Sequence, residues 1–279
     1  MPAEPRRAPP NALTIAGVDP SGGAGVLADV KAFSALGAYA CAVIAALTAQ
    51  NTRQVTGIHP LPTDFIAKQI DTLFADVRID AVKIGMLGTV AITRTVADCL
   101  ERWRPPAVVL DPVMVAKSGD ALLATEAVGM LKEALLPLAT VITPNLPEAG
   151  ALTGERAPET LKEMHRACER LRRLLPDSGG RWVVLKGGHL PGPDALDLLF
   201  DGDRMLELPA RRVDTSNTHG TGCTLSSAIA ALIPQRATVP EAVRDAKAYL
   251  TRALAASGHL KVGSGHGPVH HFHDMWRPA

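Results

Sequence analysis

The chain has 279 residues, a length that fits one large α/β unit. It contains 29 Lys and Arg residues and 28 Asp and Glu residues, so its net charge is only +1. A chain with this charge balance has no broad basic surface for nucleic acid. No apolar run approaches the roughly 18 residues of a membrane-spanning helix, and the four cysteines show no C-x-x-C spacing. We therefore expect a cytoplasmic protein without nucleic-acid or membrane partners.

The chain begins with the Pro- and Arg-rich stretch MPAEPRRAPP, which predicts a disordered tail over residues 1–10 and lacks the apolar core of a signal peptide. Beyond it we find no internal repeat, and the Pro- and Gly-containing clusters near 176–180 and 191–194 are typical of loops. We expect residues 11–279 to form a single domain with one core.

Short apolar runs alternate with segments of helical periodicity along this domain. The runs are apolar on both faces, which is typical of central parallel strands: ALTIAG, CAVIAAL, AVKIGML, AVVLDPVM, TVITPN and WVVLKGG. Helical spacing is found in GAGVLADVKAFSALG, DFIAKQIDTLFADV and APETLKEMHRACERLRRLL. The alternation predicts an α/β fold, with a doubly wound, mostly parallel central sheet flanked by helices on both faces.

Ligands of such sheets bind beyond the carboxyl ends of the strands, and polar or glycine-rich segments follow the predicted strands at those ends. The first of these segments, GVDPSGGAG, lacks both the G-K-[ST] ending of a Walker A loop and a G-x-G-x-x-G fingerprint. Its glycines fit a tight turn between strand and helix as well as they fit contact with a ligand. The segment alone therefore does not assign a function.

The segments LDPVM and TPNLPEA place Asp111, Asn145 and Glu148 just past two predicted strands. Oxygen ligands in such positions suit a Mg²⁺ ion that keeps several waters. The alternative is helix capping by Asn145 and Glu148. Lys186 follows the apolar run WVVL, where its ammonium either neutralises phosphate oxygens or is solvated at the strand end.

The segment NTHGTGCTLSSAIAALI places Cys223 between a glycine-rich loop and an apolar helix. Gly220 and Gly222 allow a sharp turn, and the free N–H groups of the new helix would then attract an anion beside the thiol. A helix N-terminus lowers the pKa of a thiol, so we expect a usable fraction of thiolate at neutral pH. For the other cysteines we expect ordinary packing as small buried thiols.

The closing segment GPVHHFHD contains three histidines, at positions 270, 271 and 273. Adjacent residues of a strand or turn point apart, and no partner motif of a closed zinc site accompanies them. We interpret these histidines as packing residues of the C-terminal segment.

Together these segments resemble the hydroxymethylpyrimidine/phosphomethylpyrimidine kinases of thiamine biosynthesis, which are members of the ribokinase-like superfamily. The resemblance covers nearly the whole chain and follows the order of that family: NALTIAGVDPSGGAG, FSALGAY, LTAQNT, VRIDAVKIGML, VVLDPVM, AKSGD, ITPNLPEA, LKGGHL, NTHGTGCTLSSAIAAL and GPVHHFHDMW. It implies an enzyme with ATP and Mg²⁺ as cofactors, and a homodimer. The implied activity is phosphorylation of 4-amino-5-hydroxymethyl-2-methylpyrimidine and then of its monophosphate, at one site.

The resemblance also implies roles for individual residues. Gln50 would bind the aminopyrimidine, because an amide offers both a donor and an acceptor, and the ring would be lined by Gly17, Val43 and Met86. The ATP phosphates would meet Asp111, Asn145 and Lys186, and Mg²⁺ would be held by Asp111 and Glu148, with water between them where needed.

The catalytic set implied by the resemblance comprises Lys186, Gly220, Thr221, Gly222 and Cys223. The superfamily usually ends this loop as G-x-G-D, whereas the present chain has GTGC, so Cys223 takes the place of the base. We expect the loop amides to contribute more than the thiol, because a loose phosphoryl transition state needs little help from a base. Two alternatives are a pyridoxal kinase of the same fold and a non-catalytic, thiol-responsive binding protein.

Overall fold

The computed structural model describes residues 8–114 and 125–276. The AKSGD segment and the first seven residues of the predicted tail lie outside these ranges. Within them a single sheet has nine strands: β1 Asn11–Val18, β2 Tyr39–Gln50, β3 Val55–Pro60, β4 Ala81–Ile84, β5 Val108–Leu110, β6 Val141–Ile142, β7 Trp182–Lys186, β8 Asp197–Phe200 and β9 Met205–Leu208.

The strand order is β3-β2-β1-β4-β5-β6-β7-β8-β9. Neighbouring strands from β2 to β7 are parallel, while β3, β8 and β9 pair with antiparallel neighbours. The chain moves outward from β1 to β3 and then returns to place β4 on the other side of β1. This reversal puts a topological switch point between the carboxyl ends of β1 and β4, where such sheets bind ligands.

Eight α-helices accompany the sheet in the described ranges: α1 Gly25–Ala35, α2 Thr63–Phe74, α3 Val90–Trp103, α4 Thr125–Met130, α5 Leu146–Thr153, α6 Leu161–Arg172, α7 Thr221–Leu232 and α8 Val239–Ala255. After α4 the chain continues through a wide turn at Leu131–Leu135 and a tight one at Leu136–Leu138. None of these helices is long and apolar enough to cross a bilayer.

The two faces of the sheet carry separate hydrophobic clusters. Helices α2 to α6 pack with Leu13 and Ile15 of β1 on one face, and α1, α7 and α8 pack with Ala12 on the other. Successive residues of a strand point to opposite faces, so a strand covered on both sides must be apolar throughout. The predicted doubly wound, mostly parallel sheet with helices on both faces is therefore confirmed.

Three strands were not predicted from the sequence. The edge strand β3 is mostly exposed and contains Gly57 and Pro60, so it has no apolar run to reveal it. Strands β8 and β9 form a hairpin beyond β7, and each has only four residues. The loops predicted near 176–180 and 191–194 are loops in the structure.

Candidate active site

A cavity of about 800 Å³ opens at the carboxyl ends of the parallel strands. It is lined by every predicted site residue except one: Gly17, Gln50, Met86, Asp111, Asn145, Glu148, Lys186, Gly220, Thr221, Gly222 and Cys223. These residues come from β1, β2, the segments after β4, β5 and β6, the end of β7 and the start of α7. The fold thus gathers at one edge of the sheet residues that lie far apart in the sequence.

Val43 is the exception, and the prediction that its side chain lines the substrate ring is not supported. Val43 is paired with Ile15 in the middle of β2, is only 1% exposed and belongs to the hydrophobic core. Its side chain is therefore used for packing beneath helices rather than for the cavity wall.

One end of the cavity carries the residues expected to recognise a ring. The backbone N–H of Gly17 donates to the Met86 carbonyl oxygen at 3.0 Å, which joins the ends of β1 and β4. The Thr48 hydroxyl lies 2.8 Å from the Val18 carbonyl oxygen and 3.2 Å from Oε1 of Gln50. The amide of Gln50 is thus anchored at the cavity wall, where it can present a donor and an acceptor to one ligand edge.

A cluster of charged groups lies at the ends of β5, β6 and β7. Lys186 Nζ is 2.9 Å from Oδ1 of Asp111 and 3.8 Å from Oε2 of Glu148, and the Thr143 hydroxyl donates to Asp111 at 2.9 Å. Lys186 is therefore not a solvated lysine at a strand end. Its ammonium is held between two carboxylates at the cavity wall.

The pKa values of this cluster follow from burial and from the close charges. Burial raises the pKa of Asp111, but Lys186 and Lys83 more than reverse this, so the net pKa of Asp111 is lowered. Burial also raises the pKa of Glu148, and with Asp111 nearby it reaches about 7 even though Lys186 lowers it. Near neutral pH the cluster can therefore gain or lose one proton, and an arriving cation would favour the ionised form of Glu148.

Asn145 and Glu148 also have the local role that the capping alternative described. The Asn145 side chain accepts from the Glu148 N–H at 2.9 Å, and Glu148 accepts from the Asn145 N–H at 2.7 Å. This reciprocal capping box begins α5 and fixes the Glu148 carboxylate beside Lys186. Capping and cavity lining are therefore not exclusive at this position.

The glycine-rich loop before α7 faces the charged cluster. Gly220 is the N-cap of α7 with φ of 74°, and a Cβ on it would lie 1.8 Å from the Gly23 carbonyl oxygen. A Cβ on Gly222 would lie 3.2 Å from Lys186 Nζ and 3.6 Å from Oδ2 of Asp111. The first N–H groups of a helix have no partner within the helix, so this end of α7 is built to accept an anion next to Lys186.

The charge state expected for Cys223 is wrong. Burial raises the pKa of its thiol to about 11, although Lys83 and the Gly25 N–H lower it. The position at a helix N-terminus, which the sequence did predict correctly, is outweighed by desolvation. The thiol is therefore mostly neutral at pH 7 in the ligand-free site.

Sequence reasoning missed a second pair of side chains in the cavity wall. His219 Nε2 lies 2.6 Å from Oδ2 of Asp19, which also accepts from the N–H groups of Ser21 and Ala24. The hydrogen bonds to Asp19 lower its pKa against the opposing effect of burial. The pair joins the GVDPSGGAG turn to the loop before α7. The two residues are 200 positions apart, and no sequence motif predicts their contact.

The far end of the cavity is formed by residues that the sequence did not single out. Leu250 and Leu254 of α8 supply apolar wall, and Lys247 Nζ lies 2.6 Å from Oδ2 of Asp197. Asp197 also accepts from the Gly187 N–H at 2.9 Å, next to Lys186. The cavity therefore extends well beyond the charged cluster and has room for a large ligand.

The C-terminal histidines pack behind α7 and α8, in agreement with their interpretation as packing residues. Nε2 of His271 lies 3.0 Å from the Thr224 hydroxyl, and the Tyr249 hydroxyl donates to the His271 carbonyl oxygen. Burial lowers the pKa of His271 to about 3, so its ring is neutral. This segment supports the first turns of α7 from behind.

The doubly wound sheet, the open N-terminus of α7 and the adjacent Lys and carboxylate cluster define a kinase of the ribokinase-like class. The sequence model of one family in that class, phosphomethylpyrimidine kinase, matches residues 19–270. The chain belongs to the phosphomethylpyrimidine kinase family.

Individual relatives agree with this assignment. A hydroxymethylpyrimidine/phosphomethylpyrimidine kinase of Escherichia coli (strain K12) is 52% identical over 95% of this chain and 98% of its own length. A thiamine biosynthesis bifunctional protein of Geobacter sulfurreducens is 47% identical over 95% of this chain and 54% of its own length. The structure of a Bacillus subtilis pyridoxal kinase in an ADP complex superposes with a TM-score of 0.85 at 38% identity, covering 94% of this chain and 97% of that one.

The resemblance inferred from the sequence motifs is thereby confirmed, and so is the prediction that the chain is an enzyme. The alternative of a non-catalytic, thiol-responsive binding protein is set aside.

Proposed function

We propose that the chain is an ATP-dependent kinase of thiamine biosynthesis that phosphorylates 4-amino-5-hydroxymethyl-2-methylpyrimidine at its hydroxymethyl oxygen. The resulting monophosphate is then phosphorylated to the pyrophosphate in the same site. The observation that carries the proposal is one cavity with Gln50 at one end and the open N-terminus of α7 beside Lys186. The name of the 52% identical Escherichia coli relative, which covers both substrates, supports the two-step activity.

Recognition of the pyrimidine falls to Gln50, with Gly17 and Met86 against the ring. The Gln50 amide pairs with a ring nitrogen and the adjacent amino group, one as acceptor and the other as donor. The soft, unbranched Met86 side chain fits closely against a flat ring. This arrangement aims the hydroxymethyl group of the substrate toward Cys223 and the loop before α7.

The phosphoryl group is transferred at the loop before α7. The substrate oxygen forms a bond to the γ-phosphorus while the bond from that phosphorus to the bridging oxygen breaks, and its electron pair leaves with ADP. Lys186 and the N–H groups of residues 221–223 stabilise the charge of the transferring group. In the first step the hydroxyl proton passes to the thiolate form of Cys223.

The phosphates of ATP are proposed to bind next to Asp111, Asn145 and Lys186. The remainder of the nucleotide is proposed to lie in the far end of the cavity. The chemistry of the donor set also fits Mg²⁺, because Asp111 and Glu148 offer hard oxygen ligands that Lys186 only partly neutralises. Both carboxylates would hold the ion, in part through water. When bound, Mg²⁺ would neutralise charge on the phosphates.

A second candidate function is the phosphorylation of pyridoxal. The observation that favours it is the likeness to the Bacillus subtilis pyridoxal kinase, whose structure was determined with ADP. Both substrates carry a hydroxymethyl group on a nitrogen-containing aromatic ring, so the same loop could serve either alcohol. The Gln50 amide favours the aminopyrimidine, which alone offers an amino donor next to a ring nitrogen.

We further propose that residues 11–279 form one domain, that the protein is a cytoplasmic homodimer, and that nucleic acid and membranes are not its partners. The cysteines at positions 41, 99, 168 and 223 are all free thiols, which supports a reducing compartment. The dimer rests on the family resemblance, and light scattering of the purified chain measures its mass directly.

The test of function is ADP release with the pyrimidine alcohol, its monophosphate and pyridoxal as separate substrates. We expect turnover of the first two with kcat/KM well above that for pyridoxal. Gln50→Ala should lower kcat/KM for the pyrimidine alcohol while the KM for ATP stays close to that of the wild type. Turnover of pyridoxal alone would replace the proposed function by the second candidate.

A further inference from the structure

An ion pair lies fully buried beneath the open end of α7. Lys83 on β4 and Asp29 on α1 have no exposed side-chain surface, and Lys83 Nζ lies 2.9 Å from both carboxylate oxygens of Asp29. Asp29 also accepts from the Thr14 hydroxyl at 2.6 Å and from the Ser227 hydroxyl at 2.7 Å. The carboxylate is saturated with donors, so the position of the ammonium is fixed.

The packing of α1 against α7 places this pair one helical turn from Cys223. Gly25 and Asp29 are four residues apart on α1, and Cys223 and Ser227 are four residues apart on α7, so each pair shares a helix face. The Gly25 N–H lies close enough to the Cys223 thiol to lower its pKa, and one turn on the Ser227 hydroxyl donates to Asp29. The thiol and the carboxylate that holds Lys83 therefore form successive contacts between the same two helices.

The ammonium of Lys83 still has a donor to offer. Among the described residues its hydrogen bonds both end on Asp29, whereas an ammonium has three N–H groups. Lys83 and Cys223 also line the same cavity. Burying an ion pair is costly and is often no more stabilising than apolar packing, so the position of this pair beside the thiol calls for a functional reason.

We propose that Lys83 is a positioning residue whose ammonium, fixed by Asp29, stabilises the thiolate form of Cys223. This inference rests on the proposed kinase function for the step that uses the thiolate. In that step the S–H bond forms as the O–H bond of the substrate alcohol breaks, and the oxygen attacks the γ-phosphorus. The thiol later returns its proton to solvent.

The charged groups that face the thiol come from four parts of the fold: Lys83 on β4, Asp29 on α1, Asp111 just after β5 and Lys186 at the end of β7. Burial raises the pKa of Cys223, Lys83 is the largest influence that lowers it, and Asp29 and Asp111 raise it. Removal of the Lys83 charge should therefore disfavour the thiolate, and removal of the Asp29 charge should favour it. A purely structural role would not give opposite signs.

The experiment measures alkylation of Cys223 by iodoacetamide in the full chain at pH 8 without substrates, followed by mass spectrometry of the Cys223 peptide. Lys83→Met should slow alkylation about tenfold, equivalent to one unit of thiol pKa, because the thiolate is the reactive form. Asp29→Asn should accelerate it about threefold or more, equivalent to half a unit. The matched control is Lys247→Met, which breaks a comparable buried pair, 2.6 Å long, with Asp197 and should leave Cys223 alkylation unchanged.

Kinetics supply a second readout. Lys83→Met should lower kcat of the first phosphorylation in the wild-type background but not in a Cys223→Ala background, because Lys83 acts through the thiol. The proposal is overturned if Lys83→Met and Asp29→Asn change the rate of Cys223 alkylation in the same direction, or if neither changes it. If Lys83→Met does not fold, the Asp29→Asn variant decides alone. Alkylation of Cys223 in Asp29→Asn that is unchanged or slower than in the wild type then overturns the proposal. Opposite alkylation shifts in a chain that phosphorylates no alcohol would remove the proposed function and leave the effect of Lys83 on the thiol in place.

Discussion

Gly220 offers the sharpest test of how the loop before α7 is built. It has φ of 74°, and an added Cβ would lie 1.8 Å from the Gly23 carbonyl oxygen and 2.8 Å from its carbonyl carbon. Gly154, which ends α5, has nearly the same φ of 73° but no atom within 4 Å of an added Cβ among the described residues. Comparison of Gly220→Ala with Gly154→Ala therefore separates the cost of the backbone conformation from the cost of the contact.

The conformational cost is shared by both variants. A left-handed conformation costs an L-residue roughly 1–2 kcal/mol. For a chain of this length the entropy of unfolding is about 0.6 kcal/mol per kelvin, so Gly154→Ala should lower Tm by about 2–3 °C. Gly154 does not line the cavity, and its variant should keep the kinetic constants of the wild type within about twofold.

Gly220→Ala carries the additional cost of the contact. The methyl group cannot stay where the Gly23 carbonyl oxygen is, so the loop must move away from the turn before α1. Overpacking typically costs about 1–3 kcal/mol, which brings the total loss in Tm to about 3–8 °C. The N–H groups of residues 221–223 shift with the loop, and a displacement near 1 Å can cost about 100-fold in kcat/KM.

The assay pairs thermal unfolding with steady-state kinetics of the pyrimidine alcohol for both variants. The expected result is similar folding with a strong loss of activity only in Gly220→Ala. Equal Tm shifts and unimpaired turnover in both variants would refute the argument that close approach to Gly23 is what requires glycine at position 220.

Three further predictions concern the charged and polar groups of the cavity. Gln50→Ala should cost about 1–3 kcal/mol in kcat/KM for the pyrimidine alcohol, while the exposed control Gln54→Ala should leave steady-state kinetics unchanged. Cys223→Ala should clearly lower kcat of the first phosphorylation, but by less than the roughly 10²–10⁴ expected for loss of a full general base, because the loop amides carry the larger share. The loss in the second phosphorylation, measured in single turnovers, should be smaller still, because a phosphate acceptor is already largely ionised at neutral pH. Glu148 has a folded pKa of about 7 against 4.5 in the unfolded chain, so the folded state loses stability as pH rises through this interval. The Glu148→Gln variant has no such loss. In urea unfolding without ligands, the free energy of unfolding of Glu148→Gln minus that of the wild type should therefore increase by about 3 kcal/mol between pH 4.5 and pH 7.

Each of these predictions has a clear contrary result. Unchanged kinetics of Gln50→Ala would remove its role in recognition, and equal losses in both phosphorylations of Cys223→Ala at every pH would remove the base. A stability difference between Glu148→Gln and wild type that does not vary with pH would contradict the raised pKa of Glu148.

Local sequence was sufficient for much of the fold and for the edge of the sheet at which the candidate site lies. Strands covered on both faces had to be apolar throughout, so runs such as ALTIAG and WVVLKGG identified β1 and β7. The segment TPNLPEA contains the donors and acceptors of its own capping box, and THGTGC contains the turn that begins α7. These features depend on residues close in sequence, where spacing alone fixes the geometry.

The tertiary structure decided which side chains reach the cavity and what charge they carry. Val43 and Lys83 both lie on strands next to β1, yet Val43 packs in the core while Lys83 is buried against Asp29 at the cavity wall. The pKa of Cys223 depends on desolvation by segments far away in the sequence, which overrides the helix N-terminus that the motif displays. Likewise, the contact of Asp19 with His219 exists only because the switch point brings two loops together. The burial and the pKa of a side chain depend on all of its neighbours in space, including those far away in the sequence. The sequence alone therefore determined the secondary-structure elements and the motifs, and only the folded chain determined which side chains line the cavity and what charge they carry.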